Sequence, residues 1–253
     1  RGEYYRCVIT VLPGAEALAD DLLLQLSRLP HSAPRTGKKL PFSDNLQLHS
    51  VSDAFSEASV QSFDELSAYD EETLNEEAQL WHEEQSIYWR WISPARLLLP
   101  KSLREEQKRD KGDARFCRSA KDVTAALMLE RLRDGVADLL RRRGHDDLPS
   151  RQASPPIHEV IHDYFWADVD YKDAKGQAKT MGGLCGESHW RLDTPLDEDW
   201  WRLLILGQYL GVGQRVAFGW GRYQLHNGAG AVSYRRAFPA QSIVQQAAEA
   251  ENI

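Results

Sequence analysis

The chain has 253 residues, 42% of them hydrophobic and 27% charged, the balance of an ordinary globular protein. No apolar run approaches the roughly 20 residues that a membrane helix needs. Trp200 to Leu210 is broken by Arg202 and Gln208, and the opening Arg1-Gly2-Glu3-Tyr4-Tyr5 lacks the apolar core of a secretion signal. Three widely spaced cysteines (Cys7, Cys117 and Cys185) form neither an even-numbered disulfide framework nor a Cys-x-x-Cys zinc site, so a reducing cytoplasm is expected, with no metal, no cofactor and no membrane partner.

The net charge of −7 argues against a nucleic-acid partner only until its distribution is read. Between Leu40 and Trp89 there is no Lys or Arg, whereas Asp44, Asp53, Glu57, Asp64, Glu65, Asp70, Glu71, Glu72, Glu76, Glu77, Glu83 and Glu84 supply twelve negative charges. The remainder of the chain is therefore net positive. The average describes neither territory, and an RNA or DNA partner stays open.

Arg6 to Leu12 is rich in β-branched residues and predicts a strand, ended by Pro13-Gly14. Ala15 to Leu29 places Leu18, Leu22, Leu26 and Leu29 at helical spacing. Pro30 to Pro41, with His31, Arg35, Lys38 and Lys39, reads as a basic loop, and Leu46 to Val51 alternates as a second strand. The acidic stretch beyond it has helical pieces without a clear apolar stripe. Ile87 to Ile92 predicts a strand, Lys101 to Arg118 a charged loop, and Ala120 to Arg143 a long helix. That helix has Val123, Leu127, Leu132, Val136, Leu139 and Leu140 as its buried stripe and Gly144 as its stop. Tyr164 to Tyr171 and Lys179 to Leu192 pair across the Asp173-to-Gly176 turn, Glu198 to Leu210 is a helix, and Arg222 to Leu225 closes the series as a strand. From Ile87 to His226 the order is strand, helix, strand, strand, helix, strand, the split β-α-β unit of ferredoxin-like folds.

The densest local signal is Gly207 to Tyr223, with five glycines in fifteen residues from Gly207 to Gly221. Glycine lets the backbone approach a ligand closely, successive amides make an anion-binding concavity, and Arg215 and Arg222 supply forked contacts to phosphate oxygens. The loop follows a helix and enters a strand, and it lacks Gly-Lys-Ser/Thr. A dinucleotide loop and a Walker loop both fit poorly, and an extended ribose-phosphate chain fits better. A tight helix-to-strand connection with Phe218 and Trp220 in the core is the alternative.

The segment Gly211-Val-Gly213-Gln214-Arg215-Val-Ala-Phe218-Gly219-Trp220-Gly221-Arg222-Tyr223 resembles the C-terminal glycine-rich loop of the CRISPR repeat-processing endoribonucleases of the RAMP superfamily. Trp91 to Leu97, Phe165 to Tyr171 and Gly182 to Glu187 are similar to the same family, so the resemblance spans about Ile87 to Leu225. It implies an α+β chain of tandem ferredoxin-like (RRM-like) domains. Here the N-terminal one is expected to be incomplete, its first half lying upstream of Arg1. The resulting layout is 1–52 as the second half of that domain, 53–85 as an acidic insertion or linker, 86–230 as the C-terminal domain with the loop, and 231–253 as a helical tail or linker.

The resemblance also implies metal-independent cleavage of CRISPR repeat RNA. The 2′-hydroxyl attacks the adjacent phosphate, leaving a 2′,3′-cyclic phosphate and a 5′-hydroxyl. That step requires a base, an acid and a cation. His31 beside Lys38 is the best local match for a catalytic pair. RNA contacts are expected from Gly211, Gly213, Gln214, Arg215, Gly219, Gly221 and Arg222. His49, His158, His162, His189 and His226 lack an evident partner, and no third ligand joins His158 and His162 to make a metal site. Some relatives precede a reverse transcriptase and an integrase, which makes both candidate partners beside repeat RNA. The alternative is a non-catalytic RNA-binding or scaffolding module within a CRISPR adaptation complex.

Overall fold

The computed structural model describes residues 9–12, 14–27, 49–53, 58–109, 111–142, 144, 155, 157–173 and 175–227. The chain divides into two compact units, the first built mainly from residues 1–69 and the second mainly from 70–233. The division falls inside the acidic stretch.

In the first unit, helix α1 spans Glu16–Ser27. Its inward residues are Ala19, which is buried, with Leu23 and Leu26 half-buried. The expected stripe is displaced by one position, since Leu18 is 71% exposed and Leu22 is exposed as well. Asp20, on the next position round, accepts a hydrogen bond from the Phe63 amide at 3.0 Å, which turns this side of the helix toward residues 61–65. Residues 9–12 do not form the strand expected over Arg6 to Leu12, whose first three residues lie outside the described ones. Of the second expected strand, Leu46 to Val51, the first three residues lie outside the described ones, and the described residues beside it form a single bridge, Ser52 to Ser59.

The second unit opens with α2, Glu71–Trp81. Asp70 caps it by accepting from the Thr73 amide at 2.9 Å, and Glu71 and Glu72 sit in the first turn, where the helix dipole favours anions. Ala78 and Trp81 are buried, and the Trp81 ring lies 5.2 Å from that of Trp201. This part of the acidic stretch is therefore a packed helix, with Glu71, Glu72 and Glu76 outside the core and Glu77 buried beside Ala78 and Trp81.

The strands are β1 (Ser86–Trp91), β2 (Ile157–Lys172), β3 (Ala178–Leu192) and β4 (Tyr223–His226). They form one sheet in the order β2-β3-β1-β4 with every neighbouring pair antiparallel. Short α3 (Lys101–Glu106) and long α4 (Ala125–Arg142) lie between β1 and β2, and α5 (Glu198–Leu210) lies between β3 and β4. This is the α+β ferredoxin-like arrangement expected from the order of elements. β2 begins seven residues before the expected Tyr164, and a bulge between Glu159 and Ile161 re-registers it on β3.

Alternation in β1 sends Ile87, Trp89 and Trp91 into the core, all at most 1% exposed. Trp89 stacks between Tyr223 at 3.6 Å and Trp190 at 5.3 Å. α4 covers this layer with Leu127, Met128, Leu129, Leu132 and Val136, and α5 with Trp200, Trp201, Leu203, Leu204 and Ile205. The Tyr164 hydroxyl donates to Ser188 Oγ at 2.6 Å and ties sheet to helix by lying 3.4 Å from Met128 Sδ. Among the described residues no helix is long and apolar enough to cross a membrane.

Candidate nucleic-acid interface

α5 stops where its sequence turns to glycine. Gly211 adopts φ 77° and its amide donates back to Gly207 O at 2.8 Å. The neck of the loop is then closed by Val212 N donating to Gly221 O at 2.9 Å. Two glycines are required by space as well as by φ. A Cβ on Gly213 would lie 2.6 Å from Arg96 O, and one on Gly221 would lie 2.0 Å from Val212 O. Gly219 has φ 80° with open space around it, so only its backbone conformation asks for glycine.

The loop rests on the segment after β1. Gly221 N donates to Pro94 O at 2.9 Å, Gln214 N to Arg96 O at 3.0 Å, and Arg222 N to Ser93 Oγ at 2.9 Å. That segment is pinned in turn to β3 by reciprocal 2.8 Å bonds between Ala95 and Leu184. The buried Arg96 guanidinium donates to Gly182 O at 2.6 Å, pairs with Asp113, and lies 4.1 Å over the Phe116 ring. Gly183 leaves the space that Trp220 and Pro94 occupy, since a Cβ there would meet them at 2.6 and 2.7 Å. Gly182 makes room for Trp166, whose indole donates to Asp168 Oδ1 at 2.8 Å and whose face carries Arg118 at 5.0 Å. The four separated segments singled out in the sequence thus converge on one end of the sheet. Arg96, which anchors the loop, was legible only through its place in one of those segments.

On the outer side, residues 215–219 are exposed. Arg215 holds the left-handed φ of 70°, and its guanidinium carbon lies 5.7 Å from the Phe218 ring centre. Its partner is therefore an aromatic face, and no carboxylate pairs with it among the described residues. The amides of Arg215, Val216 and Ala217 have no hydrogen-bond partner among the described residues. Arg222 behaves differently. It is half-buried, and its Nη1 donates to Gln208 O at 3.2 Å, at the C-terminal end of α5 where cations are favoured. The aromatic alternative is split in two: Trp220 is buried, whereas Phe218 is 70% exposed.

The histidines are dispersed. His31 and Lys38 lie outside the described residues. His49 lines a hollow of about 430 Å3 in the first unit with Asp20, Leu23, Leu24 and Val60. His158 bonds Asp193 at 2.8 Å, and His162 lies 3.8 Å from Glu159; both histidines are on β2, where alternation and the bulge replace the helical face that would have joined them. His189 Nε2 is 2.5 Å from Ser86 Oγ, and its ring stacks on Tyr88 at 4.1 Å. No group of three potential metal ligands exists among the described residues. Cys117 and Cys185 are buried, and burial pushes both thiols up to about 12.

No protein-family model matches the chain, and no curated protein is similar to it. Solved structures are similar. The partial Cas6-RT-Cas1–Cas2 complex matches with a TM-score of 0.59 and 25% identity, covering 83% of this chain and 38% of that one. The Cas6-RT-Cas1–Cas2 complex matches with the same score and identity, covering 83% of this chain and 24% of that one. The chain thus spans well under half the length of these relatives. A Thermus thermophilus Cas6 is matched at a TM-score of 0.39 and 17% identity over 83% of this chain and 88% of that one. A ferredoxin-like unit, a glycine-rich loop seated on the segment after its first strand, and a likeness that runs through 83% of the sequence make the chain similar in fold to these Cas6-containing complexes.

Proposed function

We propose that this chain binds CRISPR repeat RNA through the 211–222 loop and processes it, as part of a protein that also carries or joins a reverse transcriptase and an integrase. The observation that carries the reading is the exposure of Arg215 on a loop whose neck is fixed at Gly213 and Gly221. A cation and unpartnered amides on a glycine-lined turn held at its neck match a phosphate track, and a turn fixed beforehand has less order to gain on binding. Arg215 supplies the mobile charge, and Arg222 chiefly holds the loop to the end of α5.

The chemistry we assign is attack of a ribose 2′-hydroxyl on the adjacent phosphate. The 2′-oxygen loses its proton to a base, the bond to the 5′-oxygen breaks as that oxygen gains a proton, and a 2′,3′-cyclic phosphate remains. His31 is the proposed proton-transfer group and Lys38 the cation that stabilises the phosphorane charge. The likeness to Cas6-containing complexes supports the assignment of the reaction class.

The test is incubation of the 253-residue chain with end-labelled CRISPR repeat RNA in EDTA. Cleavage to a cyclic phosphate, lost in His31→Ala and reduced in Lys38→Ala, is expected. Salt-sensitive binding with no product would replace the nuclease by the non-catalytic RNA-binding module. Binding unchanged in Arg215→Ala would remove the loop from either account.

A further inference from the structure

Phosphate binding leaves Phe218 unexplained. The molecule buries Trp89, Trp91, Trp190 and Trp201 completely, yet this ring is 70% exposed. Its outward direction is built in. The turn Val216–Phe218 is closed by Phe218 N donating to Arg215 O and Gly219 N donating to Val216 O, both at 2.9 Å. Arg215 and Gly219, on either side of that turn, are both left-handed, and Trp220 beyond them is packed inward against Gly183 and Pro94. The loop therefore fixes one aromatic ring into the core and holds another out of it.

Arg215 belongs to the same device. Glycine would adopt φ 70° freely, whereas a side chain there is strained. Strain of this kind persists where the side chain is needed. The guanidinium lies over the Phe218 ring, and the side chain is still 70% exposed. Exposed apolar surface at the tip comes from Val216, Ala217 and Phe218, amid Gln214, Arg215 and glycines. That is far below the roughly 800 Å2 per partner of a protein interface, but one ring face suffices for a base.

We propose that Phe218 is a base-stacking residue, its exposed ring receiving a nucleobase of single-stranded RNA while Arg215 bridges the ring and the neighbouring phosphate. The inference rests on the reading of the loop as an RNA cradle, and it adds contact with a base to contact with the backbone.

The test uses the 253-residue chain and a 12-nucleotide oligoadenylate RNA with 2-aminopurine at alternate positions, whose fluorescence is quenched by stacking. Wild type should bind and quench. Phe218→Ala should bind roughly 5- to 150-fold more weakly, lose the quench and keep both its melting temperature and its slope of log Kd against log salt. Phe218→Trp should restore affinity and quench. Arg215→Ala should lower the salt slope by about one. Phe218→Ala binding within twofold of wild type with the quench intact overturns the stacking role while leaving the cradle in place. Failure of wild type to bind the RNA overturns the cradle, and the stacking role with it.

Discussion

Gly221 and Arg215 show how differently two positive-φ residues respond to the same loop. At Gly221 the missing Cβ is a spatial necessity, because Val212 O occupies its place at 2.0 Å. Gly221→Ala should lower stability by about 2 kcal/mol or more, through strain and the displaced Val212–Gly221 bond, visible as a reduced midpoint in urea. Arg215→Gly should do the reverse. Removing the left-handed strain should stabilise the fold by about 1 kcal/mol while weakening RNA binding, so melting temperature and affinity move in opposite directions. A variant in which both fall would mean that Arg215 holds the loop together.

At the scale of elements, α4 depends on a residue that is remote in sequence. The Ala125 amide at its start donates to Glu159 Oε1 of β2 at 2.6 Å, and the Leu127 amide donates to Thr124 Oγ1 at 3.1 Å. Glu159→Ala should cost about 1 kcal/mol, and Thr124→Ala a similar amount, in chemical denaturation. The loop before α4 is held by Arg109, whose guanidinium pairs with Asp122 at 2.8 Å and also donates to the Ala114 and Phe116 carbonyls. Burial raises the Asp122 carboxyl, but the Arg109 hydrogen bond and the Arg118 amide outweigh it and hold the group below its usual value. A depressed carboxyl contributes stability that is present above its unfolded value and lost as pH falls through its folded one. Arg109→Ala should therefore destabilise by about 1.5–3 kcal/mol at pH 7, with the difference from wild type shrinking as pH falls below about 4. A difference unchanged between pH 7 and pH 3 would show that the pair contributes through packing alone.

Taken whole, the second unit is an aromatic-cored sheet with two helices packed on one face and the loop seated at one end. Trp89 touches Trp91, Trp190 and Tyr223, and its indole Nε1 has no hydrogen-bond partner among the described residues. Its contribution is thus ring packing. Trp89→Phe should be much milder than Trp89→Ala, for which about 3–5 kcal/mol is expected from equilibrium unfolding. The same core shields two thiols. In a Cys7→Ser background, Cys117 and Cys185, with thiols near 12, should resist alkylation at pH 8 until denaturant opens the fold.

The order strand, helix, strand, strand, helix, strand was readable because alternation in Ile87–Trp91 and helical spacing in Leu127–Val136 are local properties of the chain, and both face one core. The tight glycine-rich turn from Gly211 to Arg222 was readable for the same reason, since a glycine's freedom belongs to the residue itself. Other features required the folded chain. Whether Phe218 or Trp220 turned outward, whether Arg222 reached the end of α5, and which face of α1 was covered all depend on atoms distant in sequence: Gly183 and Pro94, Gln208, and Phe63. Sequence by itself determined the main elements of the second unit and its glycine-rich loop, because propensity and periodicity act over a few residues. Tertiary structure alone decided which side chains the loop presents, because burial is settled by neighbours that the chain brings together only on folding.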